Sequence, residues 1–245
     1  MELITSVSNN LIKKASSLSE KKFRDSTGLF LIEGYRNVKD SVGRIKIESI
    51  ILSQSAFEKF GYEFENCTVA KDNVYEKITT TSNSQGVVAI AKQKEQKPQF
   101  SDYCIFLDRI RDPGNLGTIL RTAVACGFLD VYCFSCVDKY NPKVVRSAMS
   151  AMSKLNVIDC EEDVLTDLDA YGYKILCADM DGCNIFEQSN WGKKVCLIIG
   201  NEANGVSDSV KEKSHLTVSL PMQDIESLNA GVCASVMMYQ IKYKK

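Results

Sequence analysis

The stretch "LIIGNEANGVSDSV", residues 197–210, runs from an apolar strand into a turn bracketed by Gly200 and Gly205, then into a helix start. Glycines at that spacing suit a phosphate loop, in which backbone N–H groups at a helix N-terminus cradle an anion. Such a loop needs a lysine after its second glycine, and here Val206 stands there, while Glu202 puts a carboxylate into the turn. The turn therefore suits a ligand that is neutral or cationic where it touches the protein. Two more polar clusters could do chemistry: "LDRIRDPGNLGTILRTAVACG", with Asn115 and Arg121, and "LPMQDIESLNAGVCASVMM", with Glu226, Ser227 and Asn229. All three follow apolar strand-like runs, the position at which open α/β sheets bind ligands.

Local patterns give these residues first, plain roles. Asp112, Pro113 and Gly114 form a turn, Asn115 is a candidate N-cap, and Leu116, Ile119, Leu120, Ala123 and Val124 make the buried stripe of a helix. At about 100° per residue, Arg121 lies roughly 130° from the middle of that stripe and faces outward. Ser227 is the candidate cap of the last helix.

The sequence argues against other chemistries. The single histidine, His215, has no acidic or cysteine neighbour in sequence, which argues against His-based acid/base work and triads. Ten cysteines without a secretion signal read as small buried side chains in a reducing compartment, and Cys133 and Cys136 form one C-x-x-C with no second pair, so no metal is expected. No G-x-G-x-x-G follows a strand, which disfavours a dinucleotide enzyme. No apolar run reaches membrane-spanning length and the N-terminus lacks a cationic-then-apolar segment, so the expected compartment is the cytoplasm, with no membrane partner.

Apolar runs "LFLIEG", "IESIILS" and "GVVAIAKQ" alternate with helix-like stretches after a long amphipathic segment from Asn10 to Arg24. The polar segment 92–102 is the best linker, giving a smaller α/β domain over 1–97 and a second over 98–245. Strands and helices alternate through the second domain, which predicts a mostly parallel sheet covered on both faces. Charge is mildly basic through residue 100, with 15 Lys and Arg against 12 Asp and Glu, and acidic beyond it, with 15 against 19. Lys13, Lys14, Lys21, Lys22 and Arg24 cluster along the first helix and Arg36 follows "LIEG"; as a set they could track a phosphate backbone.

"RDPGNLGTILRTAVACG", "IIGNEANGVS" and "LPMQDIESLNAGVCASV" resemble, in order and spacing, the three signature motifs of the SpoU (TrmH-like) family of RNA ribose 2′-O-methyltransferases, of the SPOUT superfamily. The resemblance spans about residues 103–245. The segment "ITSVSNNLIKKASSLSEKKFRDSTGLFLIEGYRNVKDS" is similar to the opening of a ribosomal-protein-like substrate-binding domain found in many members. Ser150 and Asp224 depart from the usual pattern, standing where glycine is common.

The resemblance implies an α/β trefoil-knot methyltransferase domain carrying a smaller N-terminal RNA-binding domain. It implies S-adenosylmethionine (AdoMet) as cofactor, with Gly200, Leu220 and Leu228 around the adenosyl moiety and Met222 and Asn229 nearby. Gly200 is then expected to admit close backbone approach to an adenosine. Arg121 takes the ribose hydroxyl, inside a polar shell of Asn115, Glu202, Ser227 and Asn229. It also implies a homodimer through the knotted domains, bringing the arginine of one subunit near the cofactor of the other. Ribosomal RNA is the first substrate expected and transfer RNA the second; a catalytically inactive RNA-binding relic stays open as an alternative.

Overall fold

The computed structural model describes residues 3–81, 83–95, 97–225 and 227–244. Its first elements are β1 (Leu3–Ile4), α1 (Asn10–Ser17), α2 (Lys21–Thr27), β2 (Leu29–Glu33), α3 (Tyr35–Ser41), β3 (Ile47–Ser53), α4 (Gln54–Phe60), β4 (Thr68–Ala70), α5 (Asp72–Tyr75) and β5 (Val87–Lys92). There follow β6 (Tyr103–Asp108), α6 (Pro113–Cys126), β7 (Asp130–Phe134), α7 (Pro142–Ser147), β8 (Asn156–Cys160) and α8 (Val164–Ala170). The chain ends with β9 (Lys174–Asn184), β10 (Val195–Ile199), α9 (Asp208–Lys211), β11 (Leu216–Ser219) and α10 (Ala230–Tyr243).

Two compact units result, Met1–Glu95 with Tyr140–Ser153, and Gln96–Lys139 with Lys154–Lys245. The reading at residue 97 gave Tyr140–Ser153 to the second domain, whereas its partners lie in the first unit. The Tyr140 ring is 4.6 Å from that of Phe30 on β2, and Arg146 donates to Thr80 Oγ1 at 2.7 Å. Polar and amphipathic at once, such an arm shows no partner in its own spacing.

The first unit has a mixed sheet in the order β1-β4-β3-β5-β2, with β5 antiparallel to β2 and β3. Ile12, Ala15 and Leu18 pack there against Leu29, Leu31, Ile51 and Ile90. The amphipathic segment expected as one helix from Asn10 to Arg24 is broken after Ser17. Arg24 causes the break to close: its guanidinium, 2% exposed, donates to the carbonyls of Leu18 and Ser19 at 2.8 Å each, satisfying acceptors left open at a helix end.

The second unit holds six parallel strands in the order β11-β9-β10-β6-β7-β8. Strands buried on both faces read as continuous apolar runs, and β10, "VCLII", is buried throughout. Leu165, Leu168 and Val210 cover one face over Cys104, Phe106, Tyr132 and Ile198. Helices α6 and α10 pack together, and a Cβ on Gly231 would lie 3.2 Å from the Thr118 side chain, so a glycine lets the helices approach. Thr122 and Ser235 hydroxyls meet at 2.9 Å across that contact.

Candidate active site

Three loops at the carboxyl ends of β6, β10 and β11 supply the polar groups of the second unit. At the first, Asp112 rather than Asn115 caps α6, its Oδ1 accepting from Asn115 N at 2.8 Å. Pro113 at the first helical position explains the correction: the residue before a proline is held extended, as an N-cap must be. Asn115, one turn in and 8% exposed, is thereby free to use its side chain elsewhere.

Its amide Nδ2 donates to Glu202 Oε1 at 2.8 Å, and its Oδ1 accepts from Asn229 Nδ2 at 2.8 Å. Asn229 Oδ1 in turn accepts from the N–H groups of Gly231 and Val232, which makes Asn229, not Ser227, the cap of α10. One hydrogen-bonded chain, Glu202–Asn115–Asn229, thus ties the three loops. Glu226 lies outside the described residues.

The turn after β10 closes on itself through reciprocal Asn201 and Gly205 backbone bonds of 3.0 Å. A Cβ on Gly200 would sit 2.2 Å from the Gly205 carbonyl carbon, so the returning limb of the turn by itself requires glycine there. Asn201 Nδ2 also donates to the Arg109 carbonyl at 2.7 Å. The sequence reading missed Asp108, fully buried at the end of β6. It accepts from Arg109 Nε at 2.8 Å, Ser207 N at 2.6 Å and Ser207 Oγ at 2.9 Å, anchoring the far side of the turn. A charged residue ending an otherwise apolar strand was the available signal, since buried charges must be paired.

A cavity of about 720 Å³ opens between the loops after β10 and β11 and the end of β9. Gly200, Leu220, Met222 and Leu228 line it, as do Glu202 and Ser227. Asn115 and Asn229 stand behind Glu202, outside the lining. Arg121 is also outside it: exposed on α6, it has no hydrogen-bond or ion-pair partner among the described residues. Asp224 takes φ +58°, the left-handed conformation that a glycine would adopt freely. Ser150 has no positive φ; its neighbour Met149 does, at +54°.

Charge in the cavity is one-sided. Asp179, Asp181 and Glu202 line it, and no Lys or Arg is among the described lining residues. Burial opposes ionisation of Asp179, yet the Lys211 ammonium at 2.7 Å and the Asp181 N–H hold its carboxyl below the usual range. With apolar Ile199, Leu220 and Met237 beside them, these groups fit a flat heterocycle attached to a cationic group.

In the first unit the expected RNA contacts divide. Lys14 pairs with Glu48 at 2.7 Å, Lys21 with Asp25 at 2.9 Å and Lys22 with Glu20 at 3.2 Å. Such exposed pairs are worth about 0–1 kcal/mol and exchange readily for phosphate. Lys13 and Arg36 are exposed with no partner among the described residues. Arg24 is corrected: buried and bonded to backbone, it has no surface to offer RNA.

The model of the SpoU rRNA Methylase family matches residues 102–239, a span that holds all three loops. The chain belongs to the SpoU rRNA methylase family. Residues 9–89 match the MRM3-like substrate binding domain. Over 99% of this chain and all of the relative, it is 28% identical to the 23S rRNA (guanosine(2553)-2′-O)-methyltransferase RlmP of Bacillus subtilis (strain 168). It is 31% identical to the mitochondrial rRNA methyltransferase 3 of Xenopus tropicalis, covering 95% of this chain and 74% of that one. The crystal structure of an AdoMet-bound rRNA methyltransferase from Sinorhizobium meliloti superposes with a TM-score of 0.86 at 26% identity, over 98% of this chain and 96% of that chain. As a SpoU member this chain is an AdoMet-dependent RNA methyltransferase whose parallel α/β domain follows a substrate-binding domain.

Proposed function

We propose that this SpoU member methylates a ribose 2′-hydroxyl of ribosomal RNA, with AdoMet held in the cavity that the loops after β10 and β11 form with the end of β9. The observation that carries the reading is the Glu202–Asn115–Asn229 chain, which ties all three family motifs together beside one acidic, partly apolar cavity lined by the second and third. Similarity to RlmP over the full length of both chains supports ribosomal RNA over transfer RNA.

Bound AdoMet supplies a methyl group on a cationic sulfur, open to direct displacement by an oxygen nucleophile. The protein's part is placement and charge. Leu220, Met222 and Leu228 take the adenosyl group, and the Gly200 turn shapes the wall. Asn115 fixes Glu202 from behind while Asn229 fixes Asn115, so the carboxylate points one way without losing entropy at each turnover. The guanidinium of Arg121 stabilises the oxyanion forming at the ribose and grips the adjacent phosphate.

Arg121 does not line the cavity of its own chain, which favours its acting on the cofactor of a second copy. Helix α10 offers the surface for such a homodimer: Val232, Tyr239 and Tyr243 are 45%, 50% and 59% exposed along one side of it. In this reading the C-terminal segment is threaded as a trefoil knot, the enzyme works in the cytoplasm, and Lys13, Lys14, Lys21, Lys22 and Arg36 hold RNA. Mapping ribose methylation in total RNA from cells with and without this gene tests the proposal. One 2′-O-methyl lost from ribosomal RNA supports it; a loss confined to transfer RNA moves the substrate, and no loss removes the activity.

A further inference from the structure

The cavity has two chemically different walls. One is apolar, with Leu220, Met222, Leu228 and Met237. The other is the far end of β9, which brings Asp179 and Asp181 to the lining. Asp179 is already committed, to Lys211 Nζ at 2.7 Å and to the Asp181 N–H at 3.0 Å. The carboxylate of Asp181 accepts no hydrogen bond and forms no ion pair among the described residues, and the residue is exposed. Lys211 feels it only at a distance, because its ammonium is bonded to Asp179. A free carboxylate on the wall of a cavity whose described lining residues include no Lys or Arg is placed to receive a ligand's positive charge.

AdoMet carries two such charges, a sulfonium without N–H groups and an α-ammonium with three donors. At an exposed position solvent and salt screen bare Coulomb attraction, so a hydrogen-bonded ammonium gains more from a carboxylate than a sulfonium does. We propose that Asp181 receives the α-ammonium of the methionine portion, while the adenosine lies on the apolar wall. This rests on the reading of the cavity as the AdoMet site.

Calorimetry on the full chain with three ligands tests it. AdoMet and S-adenosylhomocysteine share the ammonium, whereas 5′-methylthioadenosine keeps the adenosine and the sulfur but lacks the amino-acid portion. Asp181→Asn is expected to weaken the first two alike, by about threefold to tenfold as for one exposed charge-assisted hydrogen bond, and to leave the third unchanged. Asp181→Glu, which keeps the charge, restores most of the affinity, and both variants keep the wild-type unfolding midpoint. A loss for AdoMet alone would assign the carboxylate to the sulfonium, an equal loss for methylthioadenosine would assign it to the nucleoside, and no loss would leave it without a ligand; each overturns the proposal. A wild-type chain that bound none of the three would instead sink the reading of the cavity itself.

Discussion

The side-chain amide of Asn229 donates to Asn115 Oδ1 at 2.8 Å, joining two helix starts that lie 114 residues apart in the chain. The same Asn229 caps α10 through its Oδ1, so one side chain both starts a helix and ties it to the loop before α6. Asn229→Asp keeps the capping acceptor and loses the donor; Asn229→Ala loses both. The alanine variant should lose about 1–2 kcal/mol, the usual cost of a lost cap plus an unpaired partner, and the aspartate variant less. Methyl transfer should fall at least tenfold in both, which thermal melts and a transfer assay would read side by side. Full activity in Asn229→Asp would remove the amide chain from the mechanism.

Gly200 tests the turn. A methyl group there would meet the Gly205 carbonyl carbon at 2.2 Å and Val206 N at 2.3 Å, both backbone atoms that cannot step aside. Gly200→Ala should open the Asn201–Gly205 pairing and weaken AdoMet at least tenfold by calorimetry. An affinity within a factor of two of wild type would show that the turn's closure does not shape the site.

The first unit separates a structural arginine from RNA-facing cations. Arg24→Ala leaves two helix-end carbonyls without their donor and should cost about 1–3 kcal/mol in chemical denaturation. Lys13→Ala and Arg36→Ala should stay within about 0.5 kcal/mol of wild type, as surface changes do, yet bind RNA more weakly and with a shallower salt dependence. Normal RNA binding by the double variant would move the RNA surface elsewhere.

Glu33 links stability to pH. Burial by itself would raise its pKa, but hydrogen bonds from Thr79, Thr81 and Thr80 outweigh burial and hold it below the usual carboxylate value. A folded pKa below the unfolded one means the stabilisation is complete above about pH 4.5 and is lost as pH falls through the lowered value. Melting midpoints from pH 6 to pH 3 should therefore drop more steeply in wild type than in Glu33→Gln. Parallel curves would deny Glu33 that role.

Much of the fold could be read from the sequence, and the reasons for the rest are physical. "VCLII" announces β10 because a strand buried on both faces is apolar throughout, and "IESIILS" announces β3 through its apolar, buried Ile50–Leu52 run. The two-residue β1 and three-residue β4 carry too little pattern to be seen. β9 runs on through "DGCN" to Asn184 because its polar end pairs with β11 past a bulge at Thr217/Val218, where alternation no longer marks a strand. The site residues could be named from the family motifs, but the pairing of Asn115 with Glu202 and Asn229 spans 87 and 114 residues, beyond any local spacing rule. Local capping signals also misled: Asn115 and Ser227 both look like caps, and Asp112 and Asn229 take the roles instead.

The central claim is transfer of a methyl group to a ribose oxygen from a donor held by these three loops. Its most direct measurement is mass spectrometry of nucleosides from ribosomal RNA incubated with the purified chain and isotope-labelled AdoMet. The account predicts a labelled 2′-O-methylnucleoside, with yield falling at least a hundredfold in Arg121→Lys while that variant still binds AdoMet. Label found only on a base, or undiminished label with Arg121→Lys, would contradict it.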